Sequence, residues 1–311
     1  MEKKISIIGD LINSAYGRAR KAWRNRDLKA YQDLALSQVE WGSDFLDVNI
    51  DRTKSGDVKL EEMLEFLPEM IPALQEATGV PLCFDNPSPD FQQIALESYD
   101  FAKSGAPIIN SIAASRQQLD RFLELINEYK PYVLIVASEI LMPDGDTKQS
   151  ESPEDVYSSA KYFVDLVREK ANIPNDKIIL DPGLPPVSAD TQGIVNMGLD
   201  AMKLIRNDKD LEGVHISVGL SNFSWGTPKH MRSDFERAYL SIASNYGLDM
   251  AIANPEHNPV PLPDGHPFID LLSNALEQGR PHDGMEQAET GYLQAEAILA
   301  IVNEGNDDDD F

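Results

Sequence analysis

Short apolar runs and helix-periodic segments alternate along the whole chain, and four of the apolar runs stop at an amide or a carboxylate. These are LCFDN at Asp85, IINS at Asn110, IILDPG at Asp181 and VGLSNFS at Asn222. An apolar run ending on one polar group reads as a buried parallel strand that delivers the group to a shared rim. Eight runs are present, over residues 5–9, 45–50, 81–85, 107–111, 132–137, 177–181, 214–220 and 249–253. Eight short strands buried on both faces are what a closed (βα)8 barrel requires. Between them, 28–39 and 60–74 repeat apolar residues three and four apart, as amphipathic helices do. Ser152-Pro153-Glu154-Asp155 places a capping residue, an N1 proline and early acids ahead of a helix over 156–167. Gly42, Gly79, Gly105 and Gly247 fall just before strands, where a return turn needs positive φ.

This order predicts an α/β fold: a TIM (βα)8 barrel over residues 1–265, with C-terminal helices and an acidic tail over 266–311. Two loops exceed what connection requires, 138–151 and 223–233, and both fall on the C-terminal face, where catalytic loops belong. The stretch 254–265 carries Pro255, Pro259, Pro261 and Pro263 and leaves the eighth strand in an extended path. Beyond it, 268–276 and 288–302 read as helices that either close the barrel bottom or form a dimer contact. The charge run 307–310 reads as a disordered, solvated end.

Composition narrows the function classes. The 311 residues are 42 % hydrophobic and 25 % charged, with a net charge of −25, which argues against nucleic acid or an anionic membrane as partner. No run approaches the roughly 18 apolar residues of a membrane helix. The start, MEKKISIIGDLIN, is too short in its apolar part for a signal peptide and reads as the first strand. With a single cysteine, Cys83, no internal disulfide forms, so a cytoplasmic setting is expected. Cys83 itself sits inside an apolar strand and reads as core.

The rim groups are acids and amides, with no Cys or His among them. An isolated Asp at a strand end is usually a helix cap, but four aligned ends of the same chemistry favour a site. Asp47 and Asn49 in LDVNID and Asn13 in GDLIN add groups of the same kind. Carboxylates and amides match the donors and carbonyl of a flat aminopyrimidinone edge. Asp85 and Asp181 are costly to bury without such donors. His215, His230, His257, His266 and His282 show neither HxH nor HExxH spacing, so no metal site is expected. GxSxG, GxGxxG and GxxxxGK are all absent. Trp23 and Trp41 read as packing, and Trp225 as either packing or a lining of the rim.

GDLIN, LDVNID, LCFDN, INS, LDPG, GLSNFS and DMAIAN, in this order, resemble the pterin-binding methyltransferase family. That family includes methyltetrahydrofolate:corrinoid iron–sulfur protein methyltransferases, the second methyltransferases of O-demethylase systems and the folate domain of cobalamin-dependent methionine synthase. The resemblance spans residues 5 to about 254 and implies a barrel like that of dihydropteroate synthase. It implies that Asp85, Asn110 and Asp181 hold the pterin, that Asn222 lies beside N5 and acts in catalysis, and that Asp47 is more peripheral. Asn49, Asn13, Gly219 and Ser224 are further candidates for the pterin pocket. The implied reaction moves a methyl group between 5-methyltetrahydrofolate and the cobalt of a corrinoid (cobalamin) carried by a separate corrinoid protein, and the implied assembly is a homodimer. The chain departs from the family after the first strand, where Asp10-Leu11 replaces a Glu-Arg pair. Dihydropteroate synthases share the barrel, but their Ser-Arg-Lys element reads Ser221-Asn222-Phe223 here, and their Arg-x-His site has no counterpart in AIANPEHNP. A folate-binding module without catalysis is the remaining alternative.

Overall fold

The computed structural model of the chain describes residues 5–50, 58–282 and 284–307. Eight parallel strands form one sheet: β1 (Ser6–Asn13), β2 (Phe45–Asn49), β3 (Leu82–Asp85), β4 (Ile108–Ile112), β5 (Tyr132–Val136), β6 (Ile178–Asp181), β7 (His215–Ile216) and β8 (Met250–Ala253). Their order in the sheet is β8-β1-β2-β3-β4-β5-β6-β7, with every ladder parallel. Closure between β7 and β8 rests on a few bonds. Asp249 N–H donates to the Ile216 carbonyl at 3.2 Å, Ile252 N–H to the Val218 carbonyl at 2.9 Å, and Gly219 bridges Ile252. The expected (βα)8 barrel is therefore what forms.

Two elements differ from expectation. The first strand runs on to Asn13, with a register shift between Gly9 and Ile12. The seventh stops far short of Leu220, because Leu220–Phe223 turns into a short helix. The long loop after β5 folds into an antiparallel hairpin of Glu139–Leu141 and Thr147–Gln149. The helices at Leu28–Glu40 and Pro153–Ala171 begin as their caps dictate, Asp27 accepting from Ala30 N–H at 3.0 Å and Ser152 from Asp155 N–H at 3.1 Å. No helix among the described residues is long and apolar enough to cross a membrane.

Strand alternation divides the barrel interior into two layers. Ile8, Cys83, Ile108, Leu134, Ile179 and Met250 form an apolar plug sealed from solvent. Two residues further along the same strands, on the same inward face, come Asp10, Asp85, Asn110, Val136 and Asp181. A second, larger core lies between the outer face of the sheet and the helices. The C-terminal helices Pro267–Gln278 and Gln287–Asp307 pack on each other and on the outer wall, at Arg232–Ser244 and at the turn Val187–Ala189. The last helix thus lies on the mouth side of the wall, not beneath the barrel. Gln294 Nε2 donates to the backbone carbonyl and the carboxylate of Asp190, both at 3.0 Å. Gly291 passes so close to Thr191 that a Cβ there would meet its carbonyl oxygen at 1.9 Å. The acidic run 308–310 lies outside the described residues.

Candidate functional site

The register of the first four strands lines up four polar residues across the mouth. Asn13 pairs with Asn49 in the β1–β2 ladder, and Asp85 pairs with Asn110 in the β3–β4 ladder. Asn49 Nδ2 donates to Asp85 Oδ2 at 2.6 Å, which joins the two pairs. Asp47 lies one layer deeper, beside Cys83 in register and with Oδ1 enclosed and unpartnered. Burial first, and the charge of Asp85 second, hold the Asp47 carboxyl well above the usual carboxylate range. Burial first, and then the charges of Asp47 and Asp85, also push the Cys83 thiol up, so it stays protonated.

Asp181 ends β6, and its Oδ1 accepts from Gly183 N–H at 2.8 Å, the turn being made by Gly183 at φ +85°. Burial raises the Asp181 carboxyl to about 6, against that single opposing hydrogen bond. In the loop after β4, Arg116 fixes the neighbour of Asn110: its Nε donates to the Ser111 carbonyl at 2.7 Å and one terminal nitrogen to Ser111 Oγ at 3.0 Å. Asp85 and Glu139 are the acids that face this guanidinium.

Asn222 is exposed at the mouth, on the short helix after β7. A Cβ on Gly219 would stand 2.8 Å from its amide nitrogen, so the glycine leaves the space the amide occupies. The other candidates are spread more widely. Asn13 Oδ1 accepts from Ala15 N–H at 2.8 Å and shapes the turn after β1. Ser224 is buried behind the rim, with its Oγ donating to Glu236 at 2.6 Å. Trp225 is 66 % exposed and stands on the rim.

Sequence reasoning missed a second polar cluster that ties the first, seventh and eighth loops together. Asp10 Oδ2 accepts from Ser221 Oγ at 2.8 Å, and both Asp10 oxygens accept from the Tyr16 hydroxyl, at 3.1 and 3.2 Å. Ser221 Oγ in turn accepts from Asn254 N–H at 3.1 Å. Burial lifts the Asp10 carboxyl to about 6 despite those donors. Behind it, fully buried Glu236 has His257 Nδ1 3.0 Å from each oxygen, and this contact raises the imidazole above its usual value. The one sequence signal was Asp10, which ends the first apolar run. Its partner Ser221 lies 211 residues away.

The mouth therefore offers fixed acids and amides on β2, β3, β4 and β6, with an accessible amide at Asn222. Among the described residues no group of three or more His, Cys, Asp and Glu is arranged to hold a metal ion. The arrangement suits recognition of a planar, donor-rich heterocycle.

Comparison with known proteins points the same way. The pterin binding enzyme family matches residues 11–254. A methylcorrinoid:tetrahydrofolate methyltransferase from Eubacterium limosum is 26 % identical over 254 residues, covering 80 % of this chain and 84 % of that protein. The fold is similar to that of a dihydropteroate synthase from Coxiella burnetii in complex with pteroic acid. That likeness has a TM-score of 0.59 at 20 % identity and covers 89 % of this chain and 94 % of the other. The 7,8-dihydropteroate synthase of Vibrio fischeri gives a TM-score of 0.58 at 18 % identity, covering 91 % and 96 %.

Proposed function

The chain belongs to the pterin-binding enzyme family, and on that premise we propose that it moves the N5-methyl group between 5-methyltetrahydrofolate and the cobalt of a corrinoid on a separate protein. One observation carries this reading. The amide of Asn222 stands exposed at the mouth, in a segment, Ser221-Asn222-Phe223, that holds no lysine. An amide there suits transfer at a ring nitrogen, because it can donate to the neutral atom or accept from the protonated one. Asp85, Asn110 and Asp181 grip the pyrimidine edge, and the unpartnered Asp47 oxygen beneath them suits a further donor of the ring or a bridging water.

In transfer from the folate, the bond between N5 and its methyl carbon breaks and the methyl passes to cobalt(I) of the partner. The electron pair of the broken bond stays on N5. Protonation of N5 makes it a competent leaving group, and the Asn222 carbonyl accepts from that N–H as charge redistributes. The protein contributes position and electrostatics, since cobalt(I) is itself the nucleophile. The Eubacterium limosum relative is named for transfer from the methylcorrinoid to tetrahydrofolate, and the same contacts serve that direction by microscopic reversibility. A cytoplasmic homodimer completes the reading.

The test is anaerobic mixing of the purified protein with 5-methyltetrahydrofolate and free cob(I)alamin, followed by its absorbance. Formation of methylcobalamin is expected, and a pterin pyrophosphate with p-aminobenzoate is expected to give no dihydropteroate. Dihydropteroate without methyl transfer overturns the proposal in favour of a synthase. Tight folate binding with neither product leaves a binding module.

A further inference from the structure

The mouth of this strongly acidic chain is not uniformly acidic. Of its 311 residues 52 are Asp or Glu, yet residues 11–26 contain none and carry five Lys or Arg. Residues 213–233 also contain none, and they include Lys229 and Arg232. The first stretch forms the helix Gly17–Asn25 after β1 and the second forms the loop that bears Asn222. The two are knit together at the mouth. Tyr16, at the start of the helix, bonds Asp10, and Asp10 holds Ser221, the neighbour of Asn222. Arg18 spans to Glu256 after β8 at 2.7 Å, while Arg20 and Arg26 are committed to Ser14 and Glu62. Lys21, Arg24 and Lys229 are exposed and make no ion pair among the described residues. On the opposite side of the mouth the hairpin carries Glu139, Asp144 and Asp146 against Lys148 alone.

We propose that this basic arc binds the polyanionic γ-glutamate tail of the folate, with Trp225 as the platform for its p-aminobenzoyl ring. The inference rests on the methyl-transfer reading, which fixes the orientation. If the acids of β3, β4 and β6 hold the pyrimidine edge and Asn222 faces N5, the adjacent carbon C6 directs its substituent over the seventh, eighth and first loops. The helix after β1 and the loop after β7 carry the exposed cations Lys21, Arg24 and Lys229 and the exposed indole of Trp225. Each added glutamate brings one more carboxylate to a surface of opposite charge, in a chain whose net charge of −25 otherwise repels it. An aromatic ring on an exposed tryptophan face gains from stacking.

The experiment is calorimetric titration with three ligands: a tail-less tetrahydropterin, 5-methyltetrahydrofolate monoglutamate and its triglutamate. The triglutamate is expected to bind about five- to tenfold more tightly than the monoglutamate at low salt, and that gain should collapse at high salt. In the variant Lys21→Gln/Arg24→Gln/Lys229→Gln the triglutamate-to-monoglutamate ratio should fall to near one. Trp225→Ala should weaken the monoglutamate relative to the tail-less pterin. Equal affinity of both folates for the parent protein overturns the inference. So does a gain that persists in the triple variant, which leaves the arc to an acidic protein partner. If neither the pterin nor the monoglutamate binds, the methyl-transfer reading itself fails, and this inference with it.

Discussion

Asn222 and Gly219 act as a pair. The glycine offers no Cβ, and the amide nitrogen fills the space it leaves. A bond to N5 that strengthens as charge develops acts in the transition state, so its loss lowers kcat more than it raises KM. Asn222→Ala is expected to bind methyltetrahydrofolate within about tenfold of the parent and to transfer methyl about 10²–10⁴-fold more slowly. Stopped-flow transfer to cob(I)alamin beside equilibrium binding checks this. Gly219→Ala, which pushes the amide aside, should show the same pattern more weakly. Asp181 has the opposite trade. Its carboxyl is raised from 3.8 to about 6, so the folded state keeps a proton that the unfolded chain has already lost. Stability therefore falls as pH rises through the window from about 4 to about 6. Asp181→Asn should raise the stability of the ligand-free protein by about 1–3 kcal/mol at pH 7.5 and by almost nothing below pH 4, read from urea melts. The same variant should lose pterin affinity by about ten- to a hundredfold. Asp85, Asn110 and Asp181 were legible in the sequence because each is the polar end of an apolar run. Asp10, Ser221, Glu236 and His257 were not, because a hydrogen bond across 211 residues leaves no periodic trace. Ser224 looked like a rim residue, but the turn of Leu220–Phe223 carries its hydroxyl behind the rim to Glu236.

Among the elements, β7 is the shortest strand of the wall, and the loop it feeds is held by side chains more than by the sheet. Glu236, on the helix Arg232–Ser244, joins Ser224 of the seventh loop to His257 of the eighth. Removing the imidazole leaves a buried carboxylate without its cation. The raised His257 contributes stability that is fully present below about pH 6.5 and is lost as pH climbs through its elevated value. His257→Ala should therefore cost about 1–3 kcal/mol near pH 6 and clearly less near pH 9, by thermal denaturation at the two pH values. The strands themselves were readable from apolar runs to within a few residues, with one instructive failure. The run through Leu220 is apolar enough for a strand, but burial alone does not distinguish an inward strand from a short buried helix, and Leu220 and Phe223 are fully enclosed in the latter. The hairpin over 139–149 was read as loop because its strands are three residues long, the first half-buried and the second exposed.

At the scale of the whole molecule, the barrel stacks an apolar plug, with Asp47 at the level of its Cys83, beneath a layer of acids and amides, and the C-terminal helix braces the loop after β6 through Gln294 and Asp190. Burial raises the carboxyls of Asp10, Asp47 and Asp181, so a guest that donates hydrogen bonds to them should offset the cost of holding them ionised. A ligand at a hundred times its Kd adds about 2.7 kcal/mol to stability by mass action alone. Methyltetrahydrofolate should accordingly slow digestion by a nonspecific protease in proportion to its occupancy of the site, and in Asp181→Asn this protection should shrink along with the affinity. On the methyl-transfer reading, substrate supply should then set lifetime: when reduced folate runs short the protein should open more often and be digested sooner, and when folate returns each molecule that captures it should survive longer. The acids proposed to recognise the substrate would thereby also set how long the chain lasts.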